Sequence, residues 1–334
     1  MTTAETVLSS SIPSAADVAD AARLLEGVAV RTPLVRVPLL ERGGGKVFVK
    51  IETLQRTGSF KFRGAYNTLA RIPDSRRAAG VVAYSSGNHA QGVAAAAKLT
   101  GLPAVIVMPR DAPALKRERT AAYGGEVVLY DRERDDRAEI GGRIARERGA
   151  TLVPPYDHPH VIAGQGTVGR EICEDLEKLG VAPDVVLAPA SGGGLIGGIS
   201  LAVKDRHPAA HIIAVEPTGF DDHVRSFHSG RRERNAKLSG SICDALLAPT
   251  PGEITFEITR RLVGEGAAVS DDEVRDAMRF AFQELKLAIE PGGAVALAAL
   301  ISGKVDAAGK NAVIVLSGGN VEPDLFATVI RRNG

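Results

Sequence analysis

The nine residues at 57–65, TGSFKFRGA, place one lysine between two aromatic side chains. Lysine is normally a solvated surface charge, but Phe60 and Phe62 predict that Lys61 lies in a partly covered segment. Removal of water lowers the pKa of an amino group, and the neutral amine attacks carbonyl carbons. Lys61 is therefore a candidate to form a Schiff base with an aldehyde. The alternative is a lysine at a helix start, whose stem passes two core phenylalanines on its way to water.

A glycine-rich turn at 191–195, SGGGL, follows an apolar segment that is typical of a strand. Three consecutive glycines let backbone N–H groups converge on an anion, and the N-terminus of the helix predicted next favours negative charge. The spacing matches neither the P-loop nor the dinucleotide-binding pattern, which favours a single phosphate as the ligand. The alternative is an ordinary flexible turn.

A second turn at 85–89, SSGNH, brings two hydroxyls, an amide and an imidazole to the start of a predicted helix. Hydroxyl and N–H groups in this position can bind a carboxylate. The alternative is a serine or asparagine that only caps the helix.

Two further turns carry polar side chains. Glu216, Asp221 and Asp222 lie within one short segment, and such oxygen ligands, together with a backbone carbonyl, suit Mg²⁺ or Ca²⁺. The alternative is a polar turn with an exposed acidic edge. The segment SGGN at 317–320 could present a serine hydroxyl to a ring nitrogen, or it could simply end a strand.

These turns need elements that bring them together. Short apolar segments alternate with helical ones along the chain, at 81–84, 104–108, 126–130, 151–153, 185–188, 212–215 and 312–316. This pattern predicts parallel sheets covered by helices on both faces, with ligands beyond the carboxyl ends of the strands, where the four turns lie. A polar stretch at 156–160 predicts a hinge before a helix at 168–179. We therefore expect a small α/β domain at 77–155, inserted into a large domain formed by 1–76 and 156–334.

Composition excludes several classes of partner. The 334 residues include 41 Lys and Arg against 40 Asp and Glu, so there is no basic excess for nucleic acid and no charged tail for a membrane. Cys173 and Cys243 form no spacing pattern, and neither a leader segment nor an apolar run of membrane length is visible. We expect a soluble cytoplasmic protein with no nucleic-acid or membrane partner.

Six stretches together resemble the fold-type II pyridoxal 5′-phosphate (PLP) enzymes, and most closely the threonine/serine dehydratases and serine racemases. They are GSFKFRGA at 58–65, SSGNHAQG at 85–92, SGGGLIGG at 191–198, VEPTGFDD at 215–222, EPGGA at 290–294 and SGGN at 317–320. They occur in the order found in that family and span most of the chain. The resemblance implies a fold like that of the tryptophan synthase β subunit, with two doubly wound open sheets and the PLP site between them.

The resemblance also implies roles for single residues. Lys61 matches the lysine that bonds to the cofactor and later moves the α-proton, and Phe60 matches the residue packed on the cofactor ring. Asn88 matches the amide at the phenolic oxygen, and Ser317 the hydroxyl at the pyridine nitrogen. Ser191 stands where the racemases carry another glycine. The residues expected to bind PLP are Phe60, Lys61, Asn88, Gly192, Gly193, Gly194, Leu195, Glu290 and Ser317.

Other matches concern substrate and metal. Ser86 matches a catalytic serine on the opposite face of the cofactor, Tyr123 falls near a position used for substrate or nucleotide, and Ala248 replaces a racemase serine that contacts substrate. The residues expected to bind substrate are Ser85, Ser86, Gly87, His89 and Arg137. The residues expected to bind a divalent cation, Mg²⁺ with Mn²⁺ or Ca²⁺ as alternatives, are Glu216, Phe220 through its carbonyl, and Asp222.

The activity implied is β-elimination from L-threonine or L-serine, which yields a 2-oxoacid and ammonia. The alternatives are a dehydratase for 3-hydroxyaspartate or phenylserine, a serine racemase, and a non-catalytic protein that binds PLP or an amino acid. The retention of Lys61, Asn88 and Ser317 argues against the last. The family resemblance further suggests a homodimer.

Overall fold

The computed structural model describes residues 11–85, 87–112, 114–131 and 133–331. Its strands are β1 (Leu34–Arg36), β2 (Val47–Ile51), β3 (Val81–Tyr84), β4 (Ala104–Pro109), β5 (Glu126–Tyr130), β6 (Thr151–Leu152), β7 (Val185–Pro189), β8 (His211–Pro217), β9 (Glu265–Val269) and β10 (Ala312–Leu316).

Helices connect and cover these strands. They are α1 (Ala15–Leu25), α2 (Lys61–Leu69), α3 (Asp74–Arg77), α4 (Asn88–Thr100), α5 (Ala114–Ala122), α6 (Arg137–Arg148), α7 (Pro159–Lys178), α8 (Gly194–Arg206), α9 (Asp222–Ser229), α10 (Glu253–Leu262), α11 (Asp271–Leu285), α12 (Pro291–Ile301) and α13 (Pro323–Ile330). Short 3₁₀ helices lie at Pro38–Leu40, Glu52–Leu54, Arg56–Gly58 and Asp244–Leu246. Within the described ranges, no helix is both long and apolar enough to cross a membrane.

Six strands form the larger sheet, in the order β1-β2-β10-β7-β8-β9. β1 runs antiparallel to β2, and every other neighbouring pair in this sheet is parallel. All residues of β2, β7 and β10 are buried, as expected for parallel strands with helices on both faces. β9, with the sequence EGAAV, was not predicted because glycine and alanine are poor strand formers.

Four parallel strands form the smaller sheet, in the order β5-β4-β3-β6. These strands all come from the stretch between β3 and β6, inside the segment predicted to be inserted. The predicted architecture of two mainly parallel α/β sheets is therefore confirmed. Strand pairing does not define the limits of a folding unit, so the domain limits at 77–155 remain our proposal.

Helix α7 begins at Pro159, well before the predicted start at residue 168, so the polar hinge is shorter than expected. The Nδ1 atom of His158 accepts a hydrogen bond from the backbone N–H of His160 at 3.2 Å and caps the helix. Proline suits the first helical position because its missing N–H would have no partner there. A long α7 matters for the site, since it packs against both α2 and α8.

Candidate active site

One cavity, at the carboxyl ends of strands from both sheets, brings together the residues predicted for cofactor and substrate. The predicted residues that line it are Phe60, Lys61, Ser85, Gly87, Asn88, His89, Arg137, Gly192, Gly193, Gly194, Leu195, Glu290 and Ser317. Ser86 lies outside the described residues. The predicted metal ligands do not line this cavity.

Lys61 is the first residue of α2, and its amino group points into the cavity. Its Nζ atom donates a hydrogen bond to the carbonyl of Pro155 at 2.7 Å and lies 5.2 Å from the centre of the Phe60 ring. Burial lowers the pKa of Lys61 to about 8, and the Glu290 carboxylate opposes part of that shift. A substantial fraction of the lysine is therefore neutral, and nucleophilic, near neutral to mildly basic pH.

Buried charges hold the start of α2 in place. Arg63 forms ion pairs with Glu52 at 2.8 Å and with Glu171 at 2.6 Å, and its side chain is almost fully buried. Lys50 shares Glu171 at 2.6 Å. On the opposite side, a Cβ atom on Gly64 would lie 2.7 Å from the carbonyl of Val161 in α7, so the two helices touch backbone to backbone. The position of Lys61 thus depends on contacts made two and three residues further along its helix.

The glycine turn fits an anion. A Cβ atom on Gly192 would lie 2.3 Å from the ring of Tyr156, and Gly193 has a φ of 93°, so side chains are disfavoured at both positions. Helix α8 begins at Gly194. Within the described chain, the backbone N–H groups of residues 192–195 have no acceptor. Free donors at a helix N-terminus are well suited to a phosphate.

Asn88 is oriented from both ends of its side-chain amide. Its Nδ2 atom donates to Oε1 of Glu290 at 2.6 Å, while Nδ2 of Asn320 donates to its Oδ1 atom at 2.7 Å. One N–H of Asn88 remains for a group in the cavity. Burial raises the pKa of Glu290 to about 7, and the charge of Asp244 adds to this effect.

The turn after β3 offers donors for a carboxylate. The backbone N–H of Gly87 donates to Oγ of Ser85 at 3.2 Å, and helix α4 begins at Asn88. His89 is buried, and its Nε2 atom lies 2.9 Å from the carbonyl of Val153. Burial and the nearby Lys61 charge lower the pKa of His89 to about 3, so its ring is neutral and donates to this carbonyl. The ring thus ties α4 to the chain after β6.

Arg137 supplies a positive charge at the mouth of the cavity. The guanidinium carbon lies 5.9 Å from the centre of the Tyr84 ring, and the side chain is exposed. No carboxylate of the described chain forms an ion pair with Arg137. A free guanidinium beside a substrate cavity can bind an anionic group of a ligand.

The predicted metal ligands lie behind the glycine turn and are fully buried, so the alternative of an exposed acidic edge is wrong. Glu216 accepts hydrogen bonds from the backbone N–H groups of Ser191 at 3.1 Å and His223 at 3.0 Å. Asp222 accepts from Asn235 through Oδ1, while its Oδ2 atom has no hydrogen-bond partner among the described residues. Burial raises the pKa of Asp222 to about 7, and burial and the Asp222 charge raise that of Glu216 well above its usual value.

The acidic pair alone does not make a complete metal site. In the described part of the chain, no group of three or more His, Cys, Asp or Glu side chains is arranged to hold an ion. The carbonyl of Phe220 accepts no hydrogen bond from described residues, however, and it belongs to the same turn. Two carboxylates with a free carbonyl form a donor set of oxygen atoms that hard cations prefer.

Sequence reasoning missed several residues of the cavity wall. Tyr156 packs on the glycine turn, and Lys116 of α5 forms an ion pair with Asp244 at 3.0 Å across the cavity mouth. Residues 245–247 also line the wall, next to Ala248, which the resemblance had already placed near the substrate. No local motif marks these positions, because they meet only when segments far apart in the chain pack together.

A sequence model of the family described as "Pyridoxal-phosphate dependent enzyme" matches residues 25–318. The chain belongs to this family. The predicted family and its cofactor, PLP, are thereby confirmed. The cavity of this PLP-dependent enzyme fits the cofactor, with free N–H groups for a phosphate, a desolvated lysine for an aldehyde, and an amide and a hydroxyl for the polar positions of the ring.

Relatives of this PLP-dependent enzyme carry related names. The L-threonine ammonia-lyase of Thermotoga maritima is 42% identical over 95% of this chain and 78% of its own length. The L-threo-3-hydroxyaspartate ammonia-lyase of a Pseudomonas species is 44% identical over 94% of this chain and 98% of its own length. The solved structure of maize serine racemase matches with a TM-score of 0.88 and 37% identity, covering 95% of this chain and 97% of that one. The fold-type II class is thus confirmed.

Proposed function

We propose that this PLP-dependent enzyme is an ammonia-lyase for a β-hydroxyamino acid, with L-threonine and L-serine as substrates, and that it releases a 2-oxoacid and ammonia. The observation that carries the proposal is the desolvated Lys61 in one cavity with the free N–H groups of residues 192–195. Ammonia-lyases among the relatives support the reaction class.

Each part of the cavity would hold one part of the cofactor. The N–H groups of residues 192–195 would bind the phosphate, Asn88 the phenolic oxygen and Ser317 the ring nitrogen. Phe60 would cover the ring, and Lys61 would bond to the aldehyde carbon. Bound PLP supplies an electron sink that stabilises negative charge on the carbon next to the substrate amine.

The protein's own groups then orient the substrate and move protons. Ser85 and the N-terminus of α4 would bind the substrate carboxylate, which is supported by the backbone N–H groups of Asn88 and His89, since these have no acceptor in the described segments. This would hold the α-proton facing Lys61. With a pKa of about 8, the Lys61 amine can take that proton and give it up again without a large free-energy cost.

A second candidate function is favoured by Arg137. Its free guanidinium suits a substrate with a second carboxylate, such as 3-hydroxyaspartate, which the Pseudomonas relative is named for. Serine racemase activity, for which the family resemblance gives Ser86 the role of second proton carrier, remains an alternative.

A substrate panel tests these functions. The holoenzyme should release ammonia and a 2-oxoacid from at least one of L-threonine, L-serine, L-threo-3-hydroxyaspartate and phenylserine, and Lys61→Ala should abolish this turnover. If the enzyme forms D-serine from L-serine faster than it eliminates water, racemisation and not ammonia release is its main activity, and the proposal is wrong. Full turnover in Lys61→Ala would contradict the role of the lysine.

We also propose a divalent cation, Mg²⁺ with Mn²⁺ or Ca²⁺ as alternatives, bound by Glu216, Asp222 and the carbonyl of Phe220. Its support is the pair of buried carboxyls with raised pKa values and the Oδ2 atom of Asp222, which lacks a hydrogen-bond partner within the described ranges. A cation there would act on the back of the glycine turn, because Glu216 also accepts from the N–H of Ser191.

The family resemblance suggests the assembly, and the composition of the chain suggests the location. We propose a homodimer that works in the cytoplasm without nucleic-acid or membrane partners, in keeping with the net charge of +1. Light scattering on the purified holoenzyme would test the assembly, and a monomer at micromolar concentration would contradict it.

A further inference from the structure

Ser191 has an unusual backbone conformation for a residue with a side chain. Its φ is 83°, and the other non-glycine residues with positive φ in the described ranges are Thr57 and Lys286. A Cβ atom is disfavoured in this region, where glycine is the ordinary choice. Strained residues of this kind persist where their surroundings hold them, and they cluster at ligand sites. The N–H of Ser191 is held by Glu216 at 3.1 Å.

The hydroxyl of Ser191 accepts one hydrogen bond and can still donate another. The backbone N–H of Ala248 donates to its Oγ atom at 3.3 Å. A hydroxyl also carries a hydrogen to donate, and no acceptor for it lies in the described chain. Ser191 is buried and lines the cavity, directly before the free N–H groups of residues 192–195.

We propose that Ser191 is a cofactor-binding residue, whose hydroxyl donates a hydrogen bond to the phosphate of PLP. The bond from Ala248 uses an oxygen lone pair and so turns the hydrogen away from that segment. A phosphate held by the neighbouring N–H groups is the anion that such a donor would serve. The serine thus adds a side-chain donor to a phosphate site that otherwise consists of backbone N–H groups. The hydrogen bond to the phosphate explains why a residue with a strained φ is kept at this position. The proposal rests on PLP binding and not on which substrate is used.

Two variants separate the hydroxyl from the strain. Ser191→Ala removes the hydroxyl and keeps the Cβ, whereas Ser191→Gly removes both. We expect the dissociation constant for PLP to rise by about tenfold in both variants, because each loses one hydrogen bond to a charged group. Without cofactor, the full-length Ser191→Gly protein should melt roughly 2 °C above Ser191→Ala, since only the alanine keeps the strained Cβ.

The phosphate is identified by comparing PLP with pyridoxal, which lacks it. Affinity for pyridoxal should be equal in the wild type and both variants, and the ³¹P resonance of the holoenzyme should shift in both variants. Lys286→Gly is the matched control, because Lys286 has a φ of 60° at the exposed end of α11. It should leave PLP affinity unchanged.

Three results would overturn the proposal. Unchanged PLP affinity in Ser191→Ala would show that the hydroxyl makes no such bond. Equal losses for PLP and pyridoxal would mean that the substitution disturbs the whole cavity. A lower kcat/KM with normal PLP affinity would assign the hydroxyl to the substrate instead. If Ser191→Ala fails to fold, the affinities of Ser191→Gly for PLP and for pyridoxal are compared with those of the wild type instead.

Discussion

The amino group of Lys61 donates a 2.7 Å hydrogen bond to the carbonyl of Pro155, 94 residues further along the chain. Lys61 begins α2, whereas Pro155 follows β6 of the smaller sheet, so the bond joins the two sides of the cavity. A carbonyl can accept a hydrogen bond from an ammonium, and more weakly from a neutral amine, so the contact is available in both protonation states. The contact therefore orients the nitrogen, while burial decides how readily it loses its proton.

Covalent capture of PLP should accelerate as pH rises through about 8, the pKa of Lys61, because only the neutral amine attacks an aldehyde. Glu290→Gln should move this midpoint to lower pH, since the Glu290 charge raises the pKa of the lysine. Stopped-flow absorbance of cofactor-free protein mixed with PLP measures the rate. Glu322→Gln is the control, because Glu322 lies near Lys116 and should leave the midpoint unchanged. A midpoint near that of free lysine would contradict the desolvated site.

Arg63→Met should lower the free energy of unfolding by about 3–5 kcal/mol, because it leaves Glu52 charged and buried without its partner. Arg31→Met is the control. It breaks more exposed pairs with Glu174 and Asp175 and should cost less than about 1 kcal/mol. Urea unfolding of both variants tests this prediction. Equal losses in the free energy of unfolding would show that the buried ion pairs of Arg63 stabilise the fold no more than the exposed pairs of Arg31.

Mg²⁺ should raise the melting temperature more at pH 8 than at about pH 5.5, because protons compete with the cation for the carboxyls. The folded-state pKa of Asp222 is raised to about 7. Without a cation, the Asp222 carboxyl therefore contributes its full stabilisation at pH values below its pKa in the unfolded chain. This contribution is lost as the pH rises through about 7, its pKa in the folded protein. Calorimetry with EDTA and with Mg²⁺ measures both effects.

Two neighbouring variants control the Mg²⁺ experiment. Asp222→Asn should abolish the increment at pH 8, whereas Asp221→Asn should keep it, because Asp221 faces Arg225 and is not one of the proposed ligands. An equal increment in Asp222→Asn would remove the cation from this site.

Arg137→Met should lower kcat/KM for L-threo-3-hydroxyaspartate by about tenfold or more, because an ion pair with the second carboxylate is lost. The effect on L-serine should be small. Arg143→Met, on the exposed side of the same helix and paired with Glu147 at 3.5 Å, should affect neither substrate. Losses of the same size on both substrates would show that Arg137 does not select a second carboxylate.

The sequence by itself determined those features of the site that depend only on residues close together in the chain. Glycines in SGGGL allow the turn that frees its N–H groups, and alternating apolar segments specify parallel strands whose carboxyl ends carry the four turns. Backbone conformation and hydrophobic periodicity act over a few residues, so a single chain segment contains the information.

Tertiary structure alone decided which distant groups meet. The bond between Asn88 and Glu290 spans 202 positions, and the burial of Glu216 and Asp222 excluded the alternative of an exposed acidic edge. The sequence also did not predict three local features, namely the early start of α7, the packing of Tyr156 on Gly192 and the positive φ of Ser191. The reason is physical. Desolvation, pKa shifts and strain at one residue are set by whatever packs around it, and those neighbours come from all along the chain.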